Sequence, residues 1–262
     1  MTPPTLVLVA HGSRDPRTLS TVRALMDRVR ALRPALSIHL GHIELNEPCL
    51  QDTLTELGTT NAVLVPLLLS RGYHVKQDIP ELAANAQART RVAPPLGPHP
   101  LLVETLYDRL VEAGWRTRTS RSSAVVLASA GSRDPDSRRD TQATAHLLAA
   151  RLGVPVLSAY ASSATPTIPE AIRTLTSRGH HRVAVASCFT APGRFATQCA
   201  EAAPWIASAP LGAHPAMASL ILHRYDQTLA AGGGAISPRG AGNCATSHRR
   251  PAPAPEPHPA NA

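Results

Sequence analysis

The stretch TLVLVAHGSRD, Thr5 to Asp15, is the most informative segment of the sequence. Its apolar run, Leu6 to Val9, predicts a buried strand, and the run stops abruptly at a His-Gly-Ser sequence. Open α/β sheets bind ligands just beyond the carboxyl ends of their strands. The sequence therefore places the imidazole of His11 where a ligand of such a sheet would lie.

A similar motif recurs 119 residues later as SAVVLASAGSRD, Ser123 to Asp134. Ala130 occupies the position of the histidine in this second copy. We interpret the chain as an internal duplication. The predicted domains are residues 1–118, which carry the candidate ligands, and residues 119–230, which lack them. Residues 231–262 are rich in Gly, Pro and Ala, and we predict a disordered tail there.

Strand and helix patterns alternate with short loops through both halves. Alternation of this kind indicates a parallel sheet covered by helices on both faces. We predict an α/β fold of two tandem flavodoxin-like domains, each a four-stranded parallel sheet, facing each other across a cleft. The predicted strands are residues 6–9, 37–45, 61–69 and 91–96, then 125–127, 156–161, 182–189 and 205–211.

Composition narrows the possible functions. The net charge is +8, yet no segment has a dense basic run interleaved with aromatics, so we predict no nucleic-acid partner. A mild positive field would instead attract an anionic small molecule. No apolar stretch approaches the ~20 residues that span a bilayer, and we expect a cytoplasmic protein without a membrane partner. The four cysteines are scattered without a CxxC pair, which argues against a zinc ribbon.

Three candidate ligands follow successive strands of the first half: His11, Glu44 and His74. Because the ends of parallel strands share one edge of a sheet, these side chains can converge. Two imidazoles and a carboxylate suit Fe²⁺, Co²⁺, Ni²⁺ or Zn²⁺, and an imidazole is also a base near neutral pH. The sequence therefore predicts a metal site made of these three residues.

The second half serves as an internal control for this prediction. Aligning the repeats sets His11 against Ala130, Glu44 against about Ser162, and His74 against Arg194. The second half lacks all three candidate ligands but keeps the order of strands and helices. Residues needed only for folding should be needed in both copies, so their joint loss favours a functional role.

The segments LVLVAHGSRD, HIELNEPCL and VLVPLLLSRGYHVKQDIP resemble those of the sirohydrochlorin chelatases, the class II chelatases of the cobalt- and iron-inserting type. The resemblance extends over both halves, roughly residues 5–230, and the motifs are strong only in the first. The chain is similar to the long, two-half form of the family with a degenerate second half.

The resemblance implies a lyase that inserts a divalent metal into the anionic tetrapyrrole sirohydrochlorin, for sirohaem or cobalamin biosynthesis, without ATP. It implies His11 and His74 as catalytic and metal-handling residues, with Glu44 assisting. The metal, Fe²⁺, Co²⁺ or Ni²⁺, would be a substrate, and no other cofactor is expected. Ser13, Arg71, Lys76 and Arg194 are candidates for binding the carboxylates of the tetrapyrrole. Since two domains suffice to form one cleft, a monomer is expected.

Two other functions compete with this interpretation. A non-catalytic carrier of a tetrapyrrole or metal could use the same scaffold, and the loss of the ligands from the second half keeps this alternative open. A phosphoryl-transfer enzyme could use His11 as its nucleophile. That chemistry would require an arginine beside the histidine, where the chain has Ala10.

Overall fold

The computed structural model describes residues 3–116 and 122–231. Within them the first half forms a four-stranded, all-parallel sheet of strand order β2-β1-β3-β4. Its strands are β1 (Thr5–Ala10), β2 (Ile38–His42), β3 (Ala62–Pro66) and β4 (Thr90–Val92). Its helices are α1 (Pro16–Leu32), α2 (Leu50–Glu56), α3 (Tyr73–Lys76), α4 (Asp78–Asn85) and α5 (Pro100–Glu112).

The second half repeats this arrangement with strand order β6-β5-β7-β8. Its strands are β5 (Ser123–Ser129), β6 (Val156–Tyr160), β7 (Arg182–Ser187) and β8 (Ile206–Ala207). Its helices are α6 (Pro135–Leu152), α7 (Ile168–Ser177), α8 (Arg194–Glu201) and α9 (Pro215–Ala231). Each half is thus a sheet of parallel strands flanked by helices, which confirms the predicted α/β fold class.

The repeated Ser-Arg-Asp-Pro phrase starts a helix in both halves. The Asp15 carboxylate accepts a hydrogen bond from the amide of Arg17, and Pro16 is the first residue of α1. Asp134 accepts in the same way from the amide of Asp136 at the start of α6. An aspartate cap followed by proline is a favoured helix start, because proline has no amide hydrogen to leave unsatisfied.

Several elements differ from the sequence prediction. Strand β2 ends at His42, so Glu44 lies in the following loop and not in the strand. The single helix predicted after β3 is divided at Gln77 into α3 and α4. Helix α6 begins at Pro135, nine residues before the predicted start at Thr144. Its first turns are polar, so the apolar periodicity used for the prediction does not mark them. The sequence did not predict α8, which is only two turns long.

The last helix of each half packs on the other half. Helix α9 contacts α1 and β3, while α5 contacts α6 and β7. As a result, one hydrophobic core extends from Leu6 and Leu8 of the first sheet to Val125 and Leu127 of the second. Smaller clusters lie on the outer face of each sheet. The exchanged helices join the two halves on either side of the cleft between them.

Two sequence predictions fall partly outside the described residues. The predicted junction near residue 118 lies within residues 117–121, and the predicted tail begins where α9 ends, at Ala231. Among the helices of residues 3–116 and 122–231, none combines the length and apolar character needed to cross a bilayer.

Candidate metal-binding site

The three predicted ligands converge at the carboxyl edge of the first sheet. His11 follows β1, Glu44 follows β2, and His74 lies in α3. One potential ligand atom from each residue lies within 4.8 Å of those of the other two. The imidazole centroids of His11 and His74 are 4.6 Å apart, and their planes meet at 89°. Two nitrogen donors and one oxygen donor at this spacing can bind a single divalent ion.

A close backbone contact brings His11 and Glu44 together. Gly12 has a φ of +100° and packs against the carbonyl of Glu44. The amide of Glu44 donates to the carbonyl of His11 at 3.0 Å, and the amide of Ser13 donates to Oδ1 of Asn46 at 2.6 Å. Asn46 thus holds the two loops in register. Sequence analysis did not identify this residue, and no local pattern marks it.

Asp78 is a second residue that sequence analysis missed. Its carboxylate hydrogen-bonds Nδ1 of His74, four residues earlier in the chain. A carboxylate on one imidazole nitrogen fixes the orientation of the ring and leaves Nε2 for a metal or a proton. The signal that could have identified Asp78 is the i, i+4 spacing, which places the two side chains on the same side of consecutive helical turns.

A cavity of about 1160 Å³ lies between the two halves, and its lining includes His11 and His74 together with Leu45, the neighbour of Glu44. This volume exceeds the roughly 300–1,000 Å³ typical of small-molecule sites, so the cavity accommodates a large ligand. Ser13 lies on its first-half wall, and Arg194 on its second-half wall. The second half otherwise contributes mainly small residues, among them Ser129, Ala130, Gly131, Ser132 and Ser162.

Arg71 and Lys76, predicted to bind substrate, are engaged in contacts between the halves. Arg71 pairs with the buried carboxylate of Asp140, with a closest N···O distance of 2.7 Å. Lys76 pairs with Asp134 and Asp136, and together with Arg139 it lowers the pKa of Asp136 to about 2. These cations are already matched by acidic side chains, so the contacts favour a role in joining the halves over the predicted role in binding carboxylates.

The structure corrects one pairing of the repeat alignment. The amides of Leu67 and Cys188 donate to equivalent carbonyls of β1 and β5, and Gly72 and Gly193 both precede a helix. This register sets Tyr73 against Arg194 and His74 against Phe195. The sequence pairing of His74 with Arg194 was therefore wrong by one residue.

The other two pairings are confirmed. The amide of Ser162 donates to the carbonyl of Ala130, as the amide of Glu44 donates to that of His11. All three ligand positions of the first half therefore have non-ligating or weakly ligating counterparts: alanine, serine and phenylalanine.

Comparison with known proteins points to one family. Residues 5–113 and 124–228 each match the family model described as CbiX. The chain is 30% identical over 151 residues to a sirohydrochlorin ferrochelatase of Bacillus subtilis, an alignment that covers 55% of this chain and 57% of that protein. It is 29% identical over 136 residues to a sirohydrochlorin cobaltochelatase of Methanopyrus kandleri, covering 41% of this chain and 95% of that protein.

The solved structure of SirB from Bacillus subtilis with Fe³⁺ has a similar fold. It superposes with a TM-score of 0.72 at 25% identity, covering 88% of this chain and 97% of that chain. The likeness therefore extends over both halves and not only over the half that contains the candidate ligands.

Proposed function

Because this chain belongs to the CbiX family, we propose that it is a sirohydrochlorin chelatase, a lyase that inserts a divalent metal ion into the tetrapyrrole sirohydrochlorin. The relatives named as ferrochelatase and cobaltochelatase support this reaction. The observation that carries the proposal is the convergence of His11, Glu44 and His74 at a cavity between the halves, which His11 and His74 line and Glu44 adjoins through Leu45. The same reaction accounts for the presence of these residues in one repeat only.

The reaction requires a donor set for the metal and a base for the macrocycle. A divalent ion replaces two pyrrole N–H protons, so one metal ion enters the ring and two protons leave. His11 and His74 bind the incoming ion while it loses water; as the ion transfers, one of them accepts one pyrrole proton and the second proton leaves to water in the cavity. Glu44 offsets the positive charge of the ion. Nothing in this step requires a nucleotide or a covalent intermediate.

Asp78 acts through His74. By accepting the hydrogen bond from Nδ1, its carboxylate keeps the ring orientation and directs Nε2 toward the substrates. A positioned imidazole is worth more as a base than a freely rotating one, because its geometry is set before the proton moves.

The carboxylates of sirohydrochlorin require cations at the rim of the cavity. Arg194 meets this requirement, since it is exposed, lines the cavity from the second half and stacks at 5.3 Å over the ring of Phe195. Ser13 is a second hydrogen-bonding group on the opposite wall. We assign the first half, residues 1–118, to metal handling and the second, residues 119–230, to holding the substrate within a monomer.

The donor set accepts Fe²⁺, Co²⁺ and Ni²⁺ alike. We propose Fe²⁺ as the metal inserted, because sirohaem is the more widely required product, with Co²⁺ for cobalamin as the alternative. An anaerobic absorbance assay of the protein with sirohydrochlorin and each metal tests both choices. A carrier would shift the spectrum of sirohydrochlorin without accelerating insertion of any metal over the protein-free rate.

A further inference from the structure

Two large apolar side chains are exposed beside the metal ligands of the first half. Leu45, next to Glu44, exposes 57% of its surface, and Tyr73, next to His74, exposes 67%. Both line the cavity. Exposed apolar side chains that gather at a site, unlike those scattered singly over a surface, indicate a binding function.

Leu45 also has an unfavourable backbone conformation. Its φ is +66°, in the left-handed region that leucine rarely adopts. Its counterpart in the second half is Ser163, with a φ of +56°. The fold therefore demands a left-handed residue at this turn in both repeats. A small polar residue meets that demand in the second half, whereas the first half has a leucine that is both strained and exposed.

The counterpart of Tyr73 shows the same contrast. Tyr73 and Arg194 are the first residues of equivalent helices, α3 and α8, each after an equivalent glycine. Leu45 and Tyr73 thus place apolar groups beside the ligands, and Arg194 places a cation on the facing wall of a cavity that Arg14, Arg17, Phe189 and Phe195 also line. A flat ligand with apolar faces and an anionic rim matches both features.

We propose that Leu45 and Tyr73 form an apolar ledge that contacts one face of the tetrapyrrole and holds it over His11 and His74. This inference rests on the function proposed above and assigns the residues that determine affinity for the macrocycle. The tyrosine ring stacks on the conjugated system and the leucine covers its edge, while Arg194 pairs with a peripheral carboxylate.

The test uses metal-free sirohydrochlorin titrated with the full-length protein, followed by its fluorescence. Leu45→Ser gives the first half the residue of the second, and Tyr73→Ser removes the ring. Each is expected to weaken binding about tenfold, equivalent to about 1.4 kcal/mol, and to raise KM more than it lowers kcat. Tyr73→Phe, which keeps the ring, should bind more tightly than Tyr73→Ser.

Leu32→Ser is the matched control, because Leu32 is 56% exposed but lies at the end of α1 outside the cavity lining. Binding by both serine variants within twofold of wild type, with insertion by wild type intact, would overturn the ledge and leave the chelatase proposal standing. If the wild-type protein neither binds nor metallates sirohydrochlorin, the proposed function fails and the ledge fails with it.

Discussion

Gly12 packs so closely on Glu44 that a Cβ at Gly12 would lie 1.8 Å from the Glu44 carbonyl oxygen. This contact sets the separation of the loops that carry two of the three proposed ligands. Gly131 has the same relationship to the carbonyl of Ser162, at 1.9 Å, in the half without ligands. The close glycine–carbonyl contact is therefore a feature of both repeats, and only the first repeat has candidate ligands beside it.

Gly12→Ala is expected to displace the Glu44 loop and to reduce both stability and metal insertion. The matched control is Gly58→Ala, since Gly58 has a φ of +55° but no atom within 4 Å of its added Cβ. Gly58→Ala should lower the free energy of unfolding by about 1 kcal/mol, because of the left-handed conformation alone. Gly12→Ala should lower it by more, because it adds the steric clash. Urea unfolding and insertion rates measure both effects, and equal losses in the two variants would exclude the steric explanation.

Arg71→Ala is expected to destabilise the protein by about 1–3 kcal/mol, because it leaves the carboxylate of Asp140 buried without its cation. The side chain of Asp140 is only 5% exposed. Arg139→Ala, which breaks an exposed pair with Asp136, should lower the free energy of unfolding much less, because solvent screens that pair. Urea unfolding of the two variants compares them directly. Similar losses would show that the Arg71 pair does not stabilise the contact between the halves.

The free energy of unfolding should decrease as the pH is lowered from about 6.5 to 4, in part because of His99. Burial, with the nearby charges of Arg224 and His223, lowers the pKa of His99 to about 4. The unfolded state then binds more protons in this window, so acidification favours unfolding; above pH 6.5 the contribution is constant. The loss is on the order of 2 kcal/mol after allowance for solvent screening.

His99→Asn isolates this contribution. Nδ1 of His99 accepts the amide of Leu101 at the start of α5, and asparagine can provide the same cap without titrating. Urea unfolding at pH 7 and pH 4.5 should show a smaller difference for the variant than for wild type. An identical difference would mean that His99 does not contribute to the acid sensitivity.

Leu45→Asn should stabilise the protein by about 0.5–1 kcal/mol, because asparagine tolerates the left-handed conformation far better than leucine. If Leu45 contacts the macrocycle, the same variant should bind sirohydrochlorin more weakly. Thermal unfolding and fluorescence titration measure the two properties. A variant that is destabilised would show that Leu45 gains packing which its exposure does not reveal.

Much of this site could be predicted from sequence, because its ligands follow strands whose apolar runs are easily recognised. The duplication was equally accessible, since the Gly-Ser-Arg-Asp-Pro phrase recurs after both first strands. The one-residue error at His74 arose where the loops diverge and only Gly72 and Gly193 mark the register. The exchange of α5 and α9 could not be inferred, because an apolar helix face shows that it is buried but not which sheet covers it. The i, i+4 spacing could have suggested Asp78 as a partner of His74, and the structure adds that the bond is made to Nδ1.

We propose that metal insertion occurs at one site, made by His11, Glu44 and His74 of the first half. This proposal is tested most directly by the anaerobic rate of Fe²⁺ insertion into sirohydrochlorin, compared among His11→Ala, His74→Ala, Glu44→Ala and the matched variant Ser162→Ala. We expect each histidine variant to lose at least about a hundredfold in rate while its unfolding midpoint is kept. Glu44→Ala should also lose rate, and Ser162→Ala should lose much less. Near wild-type rates in both histidine variants would show that insertion does not occur at this site.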